Sequence, residues 1–325
     1  MDASEYRRQY AAELERAAQQ QPTFQDLLEN SRAAAPREMA TAEAVAPQDD
    51  DDLPAAVAVL RDDGADEQLR SAALQIISFH APERPELIDT LLELLRDADA
   101  PENRRTEILK AMQRIDFRMA LLPAKRTDYL ATLRSIIDDP GTKLRQRAIG
   151  ILAREKDEYV QRRLLEGLED PSEALVPPEK AIQALSYDVH AEYFPLLRRM
   201  VEDPPNEAAR KEAVRLLAAD PSSTDLLLAI LNDKRESSDV RTTSAIALQA
   251  VAPTEFQEQA RRVVLDDDED DQLRAVSISA LSHFANRTAL REDAELTRRV
   301  EQLGAESASQ DVQKASEAYM SAADE

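Results

Sequence analysis

One pattern of hydrophobic and polar positions returns seven times along this chain. It consists of a turn, an aliphatic–arginine pair, then small and aliphatic residues at helical spacing. The clearest copies are Leu69–Arg70 with Ala73, Leu74 and Ile77, and Leu144–Arg145 with Ala148, Ile149 and Leu152. Ala209–Arg210 leads Ala213, Val214 and Leu217, and Leu273–Arg274 leads Ser277, Ile278 and Leu281. Val240–Arg241 is slightly worn, Arg105 follows Arg104 where an aliphatic residue stands elsewhere, and Pro178 takes the arginine position in the fourth copy. Apolar residues three and four apart on one stripe predict a helix with one buried face. Before each copy runs a second amphipathic stretch, such as Leu87–Ile88 with Leu91, Leu92 and Leu95, or Tyr129–Leu130 with Leu133, Ile136 and Ile137. The pattern therefore predicts helix pairs.

The turns between the helices are acidic or contain proline, as at Asp138–Asp139–Pro140–Gly141 and Glu202–Asp203–Pro204–Pro205. Asp66, Asn206, Ser237 and Asp270 each stand four residues before an anchor arginine, where a side-chain oxygen can accept from the orphan amides of a first turn. Pro101 stands at the same offset and also suits a helix start. The anchors fall at 70, 105, 145, 178, 210, 241 and 274. A period in this range is the sequence mark of a stacked helical array.

This phrase resembles the second helix of bacterial HEAT-like repeats, the class that includes the phycobilin-lyase type, over Leu53 to about Arg287. The resemblance implies an all-α fold, a right-handed α-solenoid of about seven helix pairs, with repeats shorter than the roughly 40–47 residues of eukaryotic forms. It also implies a ladder between neighbouring repeats, built from the acidic turn residue and the arginine: Asp66 with Arg70, and likewise at Arg105, Arg145, Arg210, Arg241 and Arg274. Pro178 should interrupt it. Residues 1–30 read as an amphipathic helical extension, with Tyr6, Tyr10, Leu14 and Ala17 on one stripe. Residues 31–52 read as an Ala/Pro/Asp linker, 53–287 as the array, and 288–325 as a degenerate capping repeat around Asp311–Val312–Gln313.

Composition narrows the function classes. Aromatics are only 4% of the chain and there are 5 glycines, so glycine-rich phosphate loops and a β-rich fold are disfavoured. A net charge of −23 opposes duplex nucleic acid as a partner. With no cysteine there is no thiolate chemistry, and no apolar run approaches the ~18 residues of a membrane span. These features read as a cytoplasmic protein.

Candidate chemistry is sparse. Di-iron hydroxylases that resemble this repeat class carry repeated His–Glu pairs, whereas His80, His190 and His283 are followed by Ala81, Ala191 and Phe284. The run Asp266–Asp267–Asp268–Glu269–Asp270–Asp271 lacks the alternating ligands and central glycine of a calcium loop. No nucleophile motif or dinucleotide fingerprint occurs. The reading is non-enzymatic, with no metal and no cofactor.

One surface stands out. If the second helices line a concave face, positions one, two, five, eight and nine after each anchor face the groove. In units two to five these hold Lys110, Arg114, Arg147, Arg154, Lys180, Lys211 and Arg215, against Glu107, Glu179 and Glu212. Elsewhere the same offsets give Ser78, Phe79, Thr242, Thr243, Gln249, Val276, Ser279 and His283. The expectation is a protein–protein scaffold or adaptor that takes another protein or an acidic peptide on a cationic face. The alternative is a pigment- or small-molecule-handling protein that uses the Phe79 and Tyr187 region as an apolar wall.

Overall fold

The structure, a computed structural model, describes residues 52–62, 64–119, 123–284 and 292–324. The expected extension at 1–30 and nearly all of the 31–52 linker lie outside these residues. The described residues are all-helical, with 16 α-helices and no strand. They fall into two compact units, divided between Leu152 and Ala153.

The first unit holds α1 (Leu53–Arg61), α2 (Glu67–His80), α3 (Pro85–Arg96), α4 (Glu102–Met119), α5 (Pro123–Ile136) and α6 (Thr142–Arg154), whose last two residues belong to the second unit. α1 packs on α2 and α3 on α4, and beyond these pairs α2 packs on α4 and α3 on α5. The buried stripe is the sequence phrase itself: Ala73, Leu74 and Ile77 on α2, Ile108, Leu109 and Met112 on α4, and Ala148, Ile149 and Leu152 on α6. Ala73 and Ala148 at the first of these positions let neighbouring helices approach closely, and the aliphatic residues fill the space between them.

The second unit holds α7 (Glu158–Glu169), α8 (Pro178–Leu185), α9 (Phe194–Glu202), α10 (Glu207–Leu216), α11 (Thr224–Asn232), α12 (Ser238–Val251), α13 (Pro253–Leu265), α14 (Asp271–Phe284), α15 (Ala294–Glu306) and α16 (Gln310–Asp324). Pairs α7–α8, α9–α10, α11–α12, α13–α14 and α15–α16 pack internally, while α8, α10, α12, α14 and α16 also pack each on the next. Where the sequence suggests a degenerate cap, α15 and α16 form a helix pair. Val312, Ala315, Ser316 and Tyr319 of α16 are buried in it.

The helix starts follow the caps read from sequence. Asp66 accepts from the Leu69 amide at 2.8 Å, Asn206 from Ala209 at 2.7 Å, Ser237 from Val240 at 3.4 Å and Asp270 from Leu273 at 3.3 Å. α6 is different, because Gly141 occupies its cap position and has no side chain to offer. Glu102, in the first turn of α4, reaches across and accepts from the amides of Lys143 at 2.7 Å and Leu144 at 3.0 Å. A β-carbon on Gly141 would sit 2.9 Å from the Glu102 side chain, so the glycine makes room for a cap from the neighbouring helix.

The arginine ladder has a different partner from the expected one. Asp66 is spent on the α2 cap, and Arg70 donates to the Ala65 carbonyl instead. At Arg105, Arg210 and Arg241 the anchor does two things. Its Nε donates to a carbonyl in the last turn of the paired helix: Arg105 to Leu95 at 2.9 Å, Arg210 to Val201 at 2.9 Å, Arg241 to Leu231 at 2.8 Å. Those carbonyls have no acceptor role within their own helix and sit at its negative end, so a guanidinium suits them. Its terminal nitrogens then meet an acid in the next turn: Arg105 meets Asp139, Arg210 meets Glu236 and Arg241 meets Glu269. The ladder acid thus stands five or six residues before the next anchor, and the residue four before is free to cap. Arg145 donates to the Asp139 carbonyl at 2.9 Å, and Arg274 to the carbonyls of Asp266 and Asp267. Pro178 has no side-chain donor and cannot join this scheme.

Candidate functional site

The offset rule separates core from surface on the four central second helices. On α4, α6, α8 and α10, positions three, four, six and seven after the anchor are all buried, as on Ile182 and Leu185 or Ala213 and Val214. All seven candidate cations remain at least partly exposed. On the flanking helices the rule is looser. Ser78, Thr242 and Thr243, expected toward solvent, are buried, and Ser78 and Thr243 donate to the carbonyls of Leu74 and Asp239 four residues earlier. Short hydroxyl side chains satisfy themselves on their own helix and so can be covered.

In the first unit the cations are little neutralised. Lys110 and Arg114 lie one turn apart on α4, and neither has an ion-pair partner among the described residues. Arg147 on α6 donates from Nε to the Gln113 side-chain oxygen at 2.7 Å, a neutral partner that leaves its charge uncompensated. Glu107 is the acid on this face. Burial and the Glu67 carboxylate push its pKa up, against the opposing pull of Arg70 and Lys110.

In the second unit the picture divides. Arg154 stacks over the Tyr187 ring at 6.0 Å, and Lys180 donates to Gln183 at 3.1 Å, so both keep their charge uncompensated by these contacts. Lys211 is bound to Asp239 at 2.6 Å and Arg215 to Glu212 at 2.7 Å. The sequence count of three acids on this face missed Asp239, which stands two residues before the Arg241 anchor and outside the offsets counted. Lys211 and Arg215 are therefore engaged within the array.

Beyond these, α12, α14 and α16 enclose an open hollow of about 810 Å³, walled by Thr242, Ile246, Gln249, Val276, Ser279, His283 and Lys314 among others. Six of these stand at offsets already read as facing the groove. Lys314 and Ala318 join them because α16 continues the same register, with Gln313 in the anchor position. Ile246, at offset five and half exposed, is its one large aliphatic projection.

Five of the six acids in the run from 266 to 271 are consumed by the framework. Asp266 binds Lys234 at 2.6 Å, Asp267 binds Arg299, Glu269 binds Arg241, Asp270 caps α14 and Asp271 binds Arg274 at 3.0 Å. Among the described residues no group of three or more His, Asp or Glu side chains is placed to hold a metal ion, and no helix is long and apolar enough to cross a membrane. The chain matches no protein-family model, and no curated protein matches it.

Proposed function

We propose that each unit is a run of HEAT-like α-solenoid and that the chain is a non-catalytic scaffold or adaptor, binding an acidic peptide or protein surface on the face of its even-numbered helices. The contact order supports the architecture: within each unit second helices stack on second helices one repeat apart, and Arg105–Asp139, Lys125–Asp89 and Arg261–Asp293 tie residues one repeat apart. Extended surfaces of stacked repeats are used for binding rather than turnover. The observation that carries the function is the set of Lys110, Arg114 and Arg147, three exposed cations without an acidic partner on a chain of net charge −23. Arg154 and Lys180 extend the reading to the second unit. Lys211 and Arg215 do not, being bound to Asp239 and Glu212.

Affinity for a labelled oligoglutamate peptide tests this. Binding should weaken about tenfold or more between low and physiological-to-high salt, because exposed charges are screened. It should be lost in the Lys110→Glu/Arg114→Glu/Arg147→Glu variant with helicity unchanged. Absence of binding by the native chain contradicts the reading.

The hollow between α12, α14 and α16 favours a second reading, a small amphipathic ligand held against Ile246 and Val276. Neither Phe79 nor Tyr187, the wall suggested by sequence, is among its lining residues. Anilinonaphthalene sulfonate fluorescence that rises with native protein and not with Ile246→Glu would support it; equal fluorescence with both would not.

A further inference from the structure

The residue nine positions after the anchor, at or just past the end of each second helix, is exposed in every repeat from α2 to α14. In the first four it is Phe79, Arg114, Arg154 and Tyr187; after these come Ala219, Ala250 and His283. Phe79 is 46% and Tyr187 50% exposed, two of the four large hydrophobic side chains so exposed among the described residues. In each unit, taken by itself, an exposed aromatic side chain shares this offset with an arginine on an adjacent second helix. We propose that this edge recognises acidic peptide segments that carry aromatic residues, a specificity that rests on the cationic-face reading above.

The second unit shows the device in detail. The Arg154 guanidinium lies over the Tyr187 ring, 6.0 Å from its centroid, so a cation and an aromatic face stand side by side there. A carboxylate can take a guanidinium in two parallel bonds while a neighbouring aromatic side chain packs on the ring. The turn that carries Tyr187 is held in place: Asp188 accepts from Lys156 at 3.0 Å and from Gln161 at 3.2 Å, and lies 3.1 Å from the His190 ring nitrogen. Val189, also exposed, extends the apolar surface beside it. Such a surface loses little freedom when a ligand settles on it.

The first unit offers the same elements on two helices. Phe79 ends α2 with its ring edge-to-face against His80 at 5.1 Å, and α4 presents Arg114 with Lys110 one turn before it. Charge sets the sign of the partner. Arg114 and Lys110 have no acid paired to them, Arg154 is engaged by a ring and Lys180 by an amide, so incoming carboxylates need displace no internal ion pair. Aromatic and arginine side chains together make the strongest contact points of protein interfaces.

Fluorescence anisotropy with two labelled probe peptides, one alternating glutamate with tryptophan and one alternating glutamate with serine, separates the claims. The tryptophan peptide should bind about tenfold more tightly than the serine peptide. The Phe79→Ser/Tyr187→Ser variant, with helicity unchanged, should bring the two peptides to the same affinity and leave the serine peptide's own affinity as it was. Equal affinity of the native chain for both peptides overturns the aromatic specificity. If the serine peptide is still lost on Lys110→Glu/Arg114→Glu, the cationic-face reading survives that result. Failure of both peptides to bind overturns both readings. Tighter binding of a labelled oligodeoxythymidine than of the tryptophan peptide also overturns the inference, since single strands stack on aromatic and arginine side chains too.

Discussion

The Arg241 guanidinium lies between the Leu231 carbonyl and both oxygens of Glu269, with every donor–acceptor distance 2.7 or 2.8 Å and both side chains almost wholly buried. Removing one member leaves the other charged and buried. Arg241→Ala should therefore cost about 3–5 kcal/mol in urea denaturation, while Arg241→Met/Glu269→Leu should recover most of the loss. An Arg241→Ala midpoint near the native one would show the pair to be idle. The same residues set an acid limit. Burial pushes the Glu269 carboxyl up, but the Arg241 hydrogen bonds and the Asp270 amide pull it further down. At Asp139 burial is likewise outweighed by the Gly141 amide and Arg105. Because both folded-state pKa values lie below the unfolded ones, their stabilisation is present above the ordinary carboxylate range, about pH 4. It is lost as pH falls through the lowered values. The urea midpoint should drop on acidification below about pH 4, and less steeply in Arg241→Met/Glu269→Leu; equal slopes would contradict this assignment. The arginines were legible because their phrase repeats. Their acids were not, since several carboxylates crowd each turn and the partner lies in the following repeat.

At the scale of the element, periodicity was enough to place the helix pairs and the caps at Asp66, Asn206, Ser237 and Asp270. It could not show the cap of α6, because Glu102 supplies it from 41 residues before Lys143. Glu102→Ala should lower stability by about 1 kcal/mol, the usual worth of a cap, and an unchanged melting temperature would deny Glu102 that role. Close approach is equally hidden in sequence. A β-carbon on Gly167 of α7 would lie 2.8 Å from the Ala174 Cα, which is backbone and cannot swing aside. Gly167→Ala should cost about 1–3 kcal/mol, read in the same melting experiment, even though alanine is the better helix former. A stabilised variant would show that the turn at 171–173 yields readily.

Across the whole molecule the surplus of acid is organised rather than diffuse. Acids of the turns bind the anchor arginines and cations one repeat away, as in Lys156 with Asp188 and Arg299 with Asp267. Lys110, Arg114 and Arg147 stand outside that scheme, and the offset rule located them from sequence. The sequence could not show that Lys211 is engaged, because its acid, Asp239, lies on the neighbouring second helix; Arg215 is held by Glu212, three residues before it on the same helix and already counted on this face. The hollow was not read from sequence for a similar reason, since α16, in the degenerate capping repeat, walls it only once the helices are set side by side. The most direct test is capture from lysate, followed by mass spectrometry, with the native chain and the Lys110→Glu/Arg114→Glu/Arg147→Glu variant run side by side after matching their helicity. The account predicts a protein with an acidic segment that is retained by the native chain and lost from the variant. Retention of the same proteins by both, or of none by either, would contradict it.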